Sequence, residues 1–472
     1  MENATKLALL DSIGFKPETQ EETYRPQDFT DEGNTDLFYR LYGDKAKHTE
    51  AAGWFVWNGR YWEEDDKSAF SLAIEMSQKM LSAALTEHNS AIQENRDTSD
   101  AKTFLKHAES TRSGWRLREI INIASRDNRF KCKVADFNPN PFDYNTPAGI
   151  VDLRSGKMRP HDPAAMCSKI TSCSPGTKGK RQWGEYLMST SDNDEQKVFF
   201  KRQNYGRGLI GKVFEEGLTL LKGPGANGKS TEATATTKPQ GSYAGHINAE
   251  ILTTEKQKRG AALAELQGKR FVFCGELEEN QRLSTSVLKK MTSTDLIDAE
   301  RKFRKPESFI PTHTLYMFTN HLPKITALDH GTWRRIVIIP FNNTISKENA
   351  IPNYGDVLAE NCGPAILQWL IDGARDFISN GCKLLYPDSI TAAIQEYRQE
   401  QNWLQSFIDD CCQAGDRAPG GELYKAYRDW CEQTGEYCRK QSDFVKTLQQ
   451  EGYKSVTYQN RKFWLGIELQ TL

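Results

Sequence analysis

Gly223, Gly225, Gly228, Lys229 and Ser230 fall in the run Gly223-Pro224-Gly225-Ala226-Asn227-Gly228-Lys229-Ser230-Thr231, whose spacing is that of a phosphate-binding loop. The residue types follow from the chemistry. Glycines let the backbone curl until successive N–H groups face one phosphate, where Cβ atoms would obstruct. The Lys229 ammonium can then reach the β- and γ-phosphates, and the Ser230 hydroxyl can ligate Mg²⁺. Immediately upstream, residues 218–222 (Leu-Thr-Leu-Leu-Lys) read as a buried strand that delivers the chain into the loop. That context separates a nucleotide site from an ordinary glycine-rich turn.

Downstream groups complete such a site. A second apolar strand, residues 269–274, runs into Gly275-Glu276, with Glu278 and Glu279 just behind. Carboxylates in that place suit Mg²⁺ binding and the orientation of an attacking water, and the choice among Glu276, Glu278 and Glu279 for the water stays open. A third strand, residues 314–319, ends on Asn320, whose amide can hydrogen-bond a γ-phosphate or the lytic water. Trp333-Arg334-Arg335 then precede another β-branched strand. Paired guanidinium groups there can neutralise transition-state charge on a neighbouring subunit's nucleotide, or form a surface salt bridge. Between the second and third strands lie Lys290 and the densest basic cluster of the chain, Arg301, Lys302, Phe303, Arg304 and Lys305. It reads as a loop tracking a phosphate backbone with an aromatic ring for stacking, or as a solvated hairpin tip.

The elements that must position these groups fit within 472 residues, enough for about three domains. A formal net charge of −1 requires any nucleic-acid surface to be local. Mean hydropathy is −0.68, and no apolar run approaches the roughly 18 residues of a membrane span. Leu7-Ala-Leu-Leu10 is too short for a signal-peptide core, so the expected location is the cytoplasm, the host's if the chain is phage-encoded. The ten cysteines include no Cys-x-x-Cys pair and read as reduced structural thiols rather than zinc ligands.

Taken in order, residues 1–34 form a polar tail and 35–173 a mainly helical domain. Within it, Trp57-Asn-Gly-Arg-Tyr-Trp62 reads as a hairpin turning at Asn58-Gly59. Its tryptophans are read mainly as core, with base stacking as the other use. A basic connector at 174–182 marks the first boundary. A helical stretch covers about 183–211, and within it Asp192-x-x-Glu195 resembles a helix start with reciprocal capping. The helix after the phosphate loop is rich in threonine, stops near Pro239 and should be short. A 3.6-period helix over 365–379 closes an ATPase domain of residues 183–385. From 386 to 472, helices over 389–412, 422–435 and 442–451 and a hairpin near Gln459-Asn460 describe a winged helix. Arg439, Lys440, Lys446, Lys454, Arg461 and Lys462 would give it a basic face for DNA or for protein.

Together these residues resemble the superfamily 3 helicases of the phage and plasmid primase-helicase type, the group that includes poxvirus helicase-primases. The resemblance rests on the loop from Gly223, the Glu276 strand, Lys290-Met-Thr-Ser-Thr-Asp295 with Arg301, Thr319-Asn320-His-Leu-Pro323, and Trp333-Arg334-Arg335-Ile, and it covers the chain from about residue 35 onward. It implies an α/β, AAA+-like P-loop ATPase core between a mainly helical N-terminal domain and a C-terminal winged helix. It also implies a hexameric ring that binds ATP between subunits and moves on single-stranded DNA, typically 3′ to 5′. Carried over, Lys229 and Ser230 bind phosphate and Mg²⁺, Glu276 is the Walker B acid, Asn320 the sensor, and Arg334 or Arg335, preferably Arg335, the finger; the channel loop includes Arg301 to Lys305. Gly275 stands where many relatives carry a second acid. No primase domain is expected, so priming falls to a separate primase or polymerase. The competing expectation is an ATP-switched replication initiator or loader that binds origin DNA through the winged helix.

Overall fold

The computed structural model describes residues 23–253, 260–276, 282–299, 307–325, 330–346, 348–459 and 461–470. The chain divides into two compact units, Met1–Phe137 and Asn138–Leu472. The division lies upstream of the connector at 174–182. Its cause is packing: Tyr144, Val151 and Leu153 are buried in the same core as Leu221, just before the glycine-rich loop, which ties 138–173 to the second unit.

In the first unit, helix α1 (Asp31–Tyr42) is followed by strands β1 (Ala46–Thr49), β2 (Gly53–Trp57) and β3 (Trp62–Glu64), then by helices α2 (Asp66–Gln93), α3 (Ser99–Thr111) and α4 (Gly114–Ala124). The strands form one antiparallel sheet in which Trp57 faces Trp62. The hairpin therefore turns over four residues, 58–61, and not over Asn58-Gly59 alone. Asn58 Oδ1 accepts from the N–H groups of Arg60 and Tyr61 at 3.1 Å each, which holds the wider loop. Trp54 and Trp62 are buried, and Trp54 packs edge-on against Phe38 and Phe130. Along α2, Ala69, Ala73, Met76, Met80 and Ala84 repeat at helical spacing and make the face it buries.

The second unit opens with an antiparallel sheet of β4 (Asp143–Thr146), β5 (Gly149–Asp152) and β6 (Met158–Arg159). Helices α5 (Lys180–Ser189) and α6 (Glu195–Arg207) follow. Asp194, not Asp192, caps α6, its carboxylate accepting from the N–H groups of Gln196 and Lys197. Asp192 and Asn193 take left-handed backbone at φ +59° and +56°, so the helix can begin only after them.

The core sheet comprises β7 (Leu218–Lys222), β8 (Ala244–Ile247), β9 (Phe271–Cys274), β13 (Thr314–Thr319) and β15 (Ile336–Pro340). All are parallel, in the order β15-β7-β13-β9-β8. Burial on both faces explains the apolar runs of β9 and β15, and in β7 the one buried polar residue, Thr219, is hydrogen-bonded to Asn204 and Arg207. Strand β8 was not separable in the sequence, so the Glu276 strand is third in chain order. Helix α7 (Lys229–Thr237) follows β7 and is short, at 9 residues. Between β8 and β13 come α8 (Gly260–Ala264), β10 (Arg282–Leu283), α9 (Thr285–Thr292) and an antiparallel hairpin of β11 (Ile297–Ala299) and β12 (Glu307–Phe309). After β13, β14 (Lys324–Ile325) pairs with β10, and the short helix α10 (His330–Trp333) leads into β15.

Helix α11 (Tyr354–Ser379) covers α6 and α7. It starts eleven residues before the expected 365 and runs through Pro364. The missing N–H costs one intrahelical bond, but Leu358, Cys362, Ile366 and Leu370 are all buried in the core, which holds both halves in line. Helices α6 and α11 cross backbone to backbone: a Cβ on Gly206 would lie 2.2 Å from Ala374 N, and one on Gly373 would lie 1.9 Å from Arg202 O.

The remaining elements are α12 (Asp388–Glu400), α13 (Trp403–Cys411), β16 (Cys412–Gln413), β17 (Arg417–Pro419), α14 (Gly420–Thr434), α15 (Gln441–Gln450), β18 (Ser455–Tyr458), β19 (Arg461–Leu465) and β20 (Glu468–Leu469). The single helix expected over 389–412 breaks at Gln401-Asn402, where Asn402 caps α13 through Gln405 N–H. Helices α13, α14 and α15 and the sheet β17-β19-β18 share a core of Trp403, Phe407, Tyr427, Phe444 and Trp464. Arg439 does not join an exposed basic face. It is buried, with its guanidinium 4.3 Å from the centre of the Trp403 ring.

Candidate nucleotide site

The glycine-rich loop bridges β7 and α7. At Gly223 a Cβ would fall 1.9 Å from Asn227 Nδ2 and 2.5 Å from the Phe341 carbonyl, so only glycine fits. Gly225, Ala226 and Gly228 all have positive φ, at +106°, +48° and +88°. The Asn227 amide donates to Phe341 O at 3.0 Å, and Ile345 N–H donates to Ala226 O at 2.7 Å, which pin the loop to the segment leaving β15. From the other side the Tyr186 hydroxyl donates to Gly228 O at 2.7 Å.

Lys229 lies at the loop's centre. Its Nζ donates to Gly223 O at 2.7 Å, Asn227 Oδ1 at 2.9 Å and Asn320 Oδ1 at 2.9 Å. Burial draws this ammonium below the ordinary lysine pKa, and the Glu276 carboxylate opposes that shift. Asn320 sits just past β13, and its own N–H donates to Glu276 Oε1 at 2.7 Å. Lys229, Asn320 and Glu276 therefore meet at the carboxyl ends of the neighbouring strands β7, β13 and β9, where open parallel sheets receive ligands. Glu278 and Glu279 lie outside the described residues.

These groups line a cleft of about 780 Å³ that also holds Gly225 to Thr231, Ser189, Thr190, Phe318, Asn343, Ile345, Asn349, Ile351 and Tyr354. A cation resting on three neutral oxygens beside the start of a helix has the chemistry to attract an anion of phosphate type. Ser230 is exposed, and its hydroxyl shares the cleft with Glu276, a donor pair of the oxygen chemistry that Mg²⁺ takes. Residues 343–346, 349–351 and Tyr354 form one wall of the cleft. Nothing in their composition marked them beforehand.

Under the loop lies a network that was not read from the sequence. Glu232, fully buried on α7, accepts from Lys201 Nζ at 3.0 Å and from the Tyr205 hydroxyl at 2.8 Å, with Thr190 Oγ1 at 3.4 Å. Burial lowers the Lys201 pKa, with Glu232 pulling the other way; burial and then Glu232 raise that of Tyr205 well above the tyrosine range. Lys201 Nζ also stands 4.0 Å from the centre of the Phe341 ring. The network joins α6, α7 and the end of β15 and supplies the packing that the threonine-rich helix needs. Its one sequence signal was a carboxylate three residues after Lys229. On the opposite flank, the Tyr397 hydroxyl of α12 donates to Pro323 O, and the Gln401 side-chain oxygen accepts from Ile325 N–H at 3.0 Å, fixing the segment behind Asn320.

The arginines lie elsewhere. Ile336 pairs with Leu218 at the amino ends of β15 and β7, so Arg334 and Arg335 sit at the sheet edge opposite the phosphate loop, roughly 16 Å away by strand rise. Both donate to Glu216, Arg334 at 2.7 Å. The preferred Arg335 is buried and also held by the Gly331 carbonyl, whereas 55% of the Arg334 side chain is open. Lys290, on α9, is half-exposed 3.7 Å from Asp298 of the β11–β12 hairpin. Arg301, Lys302, Phe303, Arg304 and Lys305 connect those two strands and lie outside the described residues.

Comparison with known proteins bears on this geometry. Residues 35–196 match the family described as D5 N terminal like, and residues 221–335 match a family of unknown function, DUF5906. Each match covers less than half of the chain, and the first is a likeness to the N-terminal part of D5-type proteins. The chain is 23% identical over 342 residues to a protein of Acanthamoeba polyphaga mimivirus provisionally named a helicase, covering 66% of this chain and 35% of that one. It is 27% identical over 244 residues to a provisionally named primase of African swine fever virus, covering 47% of this chain and 25% of that one. The chain thus spans about a quarter to a third of the length of these relatives. Among solved structures, the apo C-terminal region of NrS-1 is similar at a TM-score of 0.40 and 13% identity, covering 62% of this chain and 77% of that one.

Proposed function

We propose that the chain is an ATP-dependent DNA helicase of the superfamily 3 type, acting as a hexameric ring on single-stranded DNA in the replication of a phage, plasmid or other mobile element. The observation that carries the reading is the meeting of Lys229, Asn320 and Glu276 at one sheet edge beside the cleft. The viral relatives named for helicase and primase activity add support.

In this reading the loop N–H groups and Lys229 hold the β- and γ-phosphates of ATP, and Ser230 and Glu276 hold Mg²⁺. The metal, when bound, supplies positive charge against the triphosphate. One of Glu276, Glu278 and Glu279 accepts a proton from the attacking water, and Asn320 ties the Glu276 carboxylate to Lys229. Arg334 reaches the nucleotide of a neighbouring subunit, since its sheet edge keeps it from its own. Lys290 and the Arg301 to Lys305 segment grip the DNA backbone, and Phe303 stacks on a base. The helices and hairpin of 403–465 serve as a winged helix.

The test is ATP hydrolysis by the purified protein with and without single-stranded DNA at a stated salt concentration, alongside Lys229→Ala. Stimulation that vanishes in the variant supports the motor. Hydrolysis indifferent to DNA turns the reading toward an ATP-switched initiator, and near-normal turnover by Lys229→Ala rejects the site.

A further inference from the structure

The first unit carries a surface for which the nucleotide site has no use. Trp115, in the first turn of α4, leaves 61% of its surface open, more than any other exposed large apolar side chain among the described residues. An indole that large is ordinarily buried at least in part, because its transfer from water is among the most favourable of any side chain.

Its surroundings are cationic. Between residues 100 and 119 five cations, Lys102, Lys106, Arg112, Arg116 and Arg118, stand against the carboxylates of Asp100, Glu109 and Glu119, and Asp100 is paired with Arg25 at 2.7 Å. Arg116 is engaged internally, donating to Ser110 Oγ at 2.9 Å and lying 3.9 Å from Asp31. The other four cations are exposed, and among the described residues none has a hydrogen-bond or ion-pair partner. Arg118 is three residues after Trp115, hence on the same helical face, and its guanidinium nitrogen lies 3.5 Å from where a Cβ of Gly114 would be. Lys102 and Lys106 are one turn apart on one face of α3, and Arg112 caps that helix at its C-terminal end, turned by about 120° from Lys106.

We propose that Trp115, with Arg112, Arg118 and Lys106, is a contact site for single-stranded nucleic acid on the first unit, separate from the basic segment at 301–305. An exposed indole stacks on any unpaired base, and guanidinium groups close to it in the chain, Arg112 and Arg118, are available to phosphates next to that base. Charge selects this occupant. Four unpaired cations repel a second copy of the same patch, whereas a polyanion neutralises them and releases its counterions. The inference rests on the proposed function only for its choice of DNA as the probe.

The experiment is fluorescence anisotropy of a labelled single-stranded oligothymidylate titrated with the full chain, without nucleotide, over a series of salt concentrations. Trp115→Ala is expected to weaken binding by at least about fivefold, Trp115→Phe to restore most of it, and Trp115→Leu not to. Combining Arg112→Ala with Arg118→Ala should lower the slope of log affinity on log salt by about 1.4. Circular dichroism checks that each variant is folded. The site is rejected if wild type does not bind, if Trp115→Leu matches wild type, or if affinity and slope are unchanged in the variants. It is also rejected if light scattering shows that substituting Trp115 changes the oligomeric state, since the patch then joins copies of the chain. Because the readout omits ATP, its failure is distinct from a failure of DNA-stimulated hydrolysis.

Discussion

The side-chain oxygen of Asn320 lies 2.9 Å from Lys229 Nζ while its backbone N–H donates to Glu276 at 2.7 Å, so one residue joins the phosphate loop to the carboxylate two strands away. Strand β13 lies between β7 and β9, and the residue at its end can touch both neighbours at once. The side chain reports on the phosphate end and the main chain holds the acid.

That division predicts separable effects. Asn320→Ala leaves the backbone bond to Glu276 and removes only the contact to Lys229, so nucleotide should still bind while turnover falls about a hundredfold, the usual cost of one aligned polar contact in a transition state. Asn320→Asp places a carboxylate against Lys229 and toward the phosphates, so it should weaken nucleotide binding itself. Equilibrium binding of a fluorescent ATP analogue and single-turnover hydrolysis, measured on both variants, separate the two. Equal binding losses would reject the assignment.

The shared carboxylate of Glu216 sets up a second contrast. Arg334 is open and Arg335 buried, so Arg334→Ala should abolish turnover with the melting temperature nearly unchanged. Arg335→Ala, which removes a buried guanidinium and strips Glu216 of one partner, should destabilise the fold by about 1–3 kcal/mol. Mixing Arg334→Ala with Lys229→Ala should restore part of the activity if the arginine serves a neighbour. No recovery on mixing would exclude action between subunits.

These arginines show where the sequence is legible and where it is not. That the glycine-rich loop, Glu276 and Asn320 lie at the ends of strands could be read because strand ends are marked by a change from apolar to polar residues. Which of two adjacent arginines is open depends on the partner, and Glu216 lies 118 positions from Arg334, beyond any local pattern. Strand β8 was missed because Ala244-Gly-His-Ile247 has no β-branched run, and its pairing with β9 makes it a strand. The sequence pattern puts the cap of α6 two residues early, at Asp192 instead of Asp194, because several polar residues there can each cap a helix. The break at Asn402, inside an otherwise continuous helical pattern, has no such marker.

Glu232 tests how the loop is supported. Removing it leaves Lys201 charged, buried and without its counter-ion, so Glu232→Ala should destabilise the second unit by about 3–5 kcal/mol. Replacing both together, Lys201→Met with Glu232→Leu, removes the uncompensated charge and should recover much of that loss. Urea unfolding of the three proteins measures the coupling. A double variant no more stable than Glu232→Ala would mean that the Tyr205 and Thr190 bonds, not the ion pair, carry the network.

His313 predicts a pH dependence. It lies one residue before β13, is 1% exposed, and burial pushes its imidazole down to about 4. The folded state therefore holds it neutral while the unfolded chain protonates near 6.5, so between those values the unfolded state binds more protons and stability falls with falling pH. The contribution is fully present above about pH 6.5 and is lost progressively toward pH 4; from pH 7.5 to pH 5 it amounts to about 2 kcal/mol. In His313→Leu, which fills the same space without a titrating group, this part of the pH dependence should vanish. The urea midpoints of both proteins at the two pH values give the comparison. Parallel losses in the two would show that other groups govern the acid limb, whereas a flatter response in the variant assigns it to this one imidazole beneath the strand that carries Asn320.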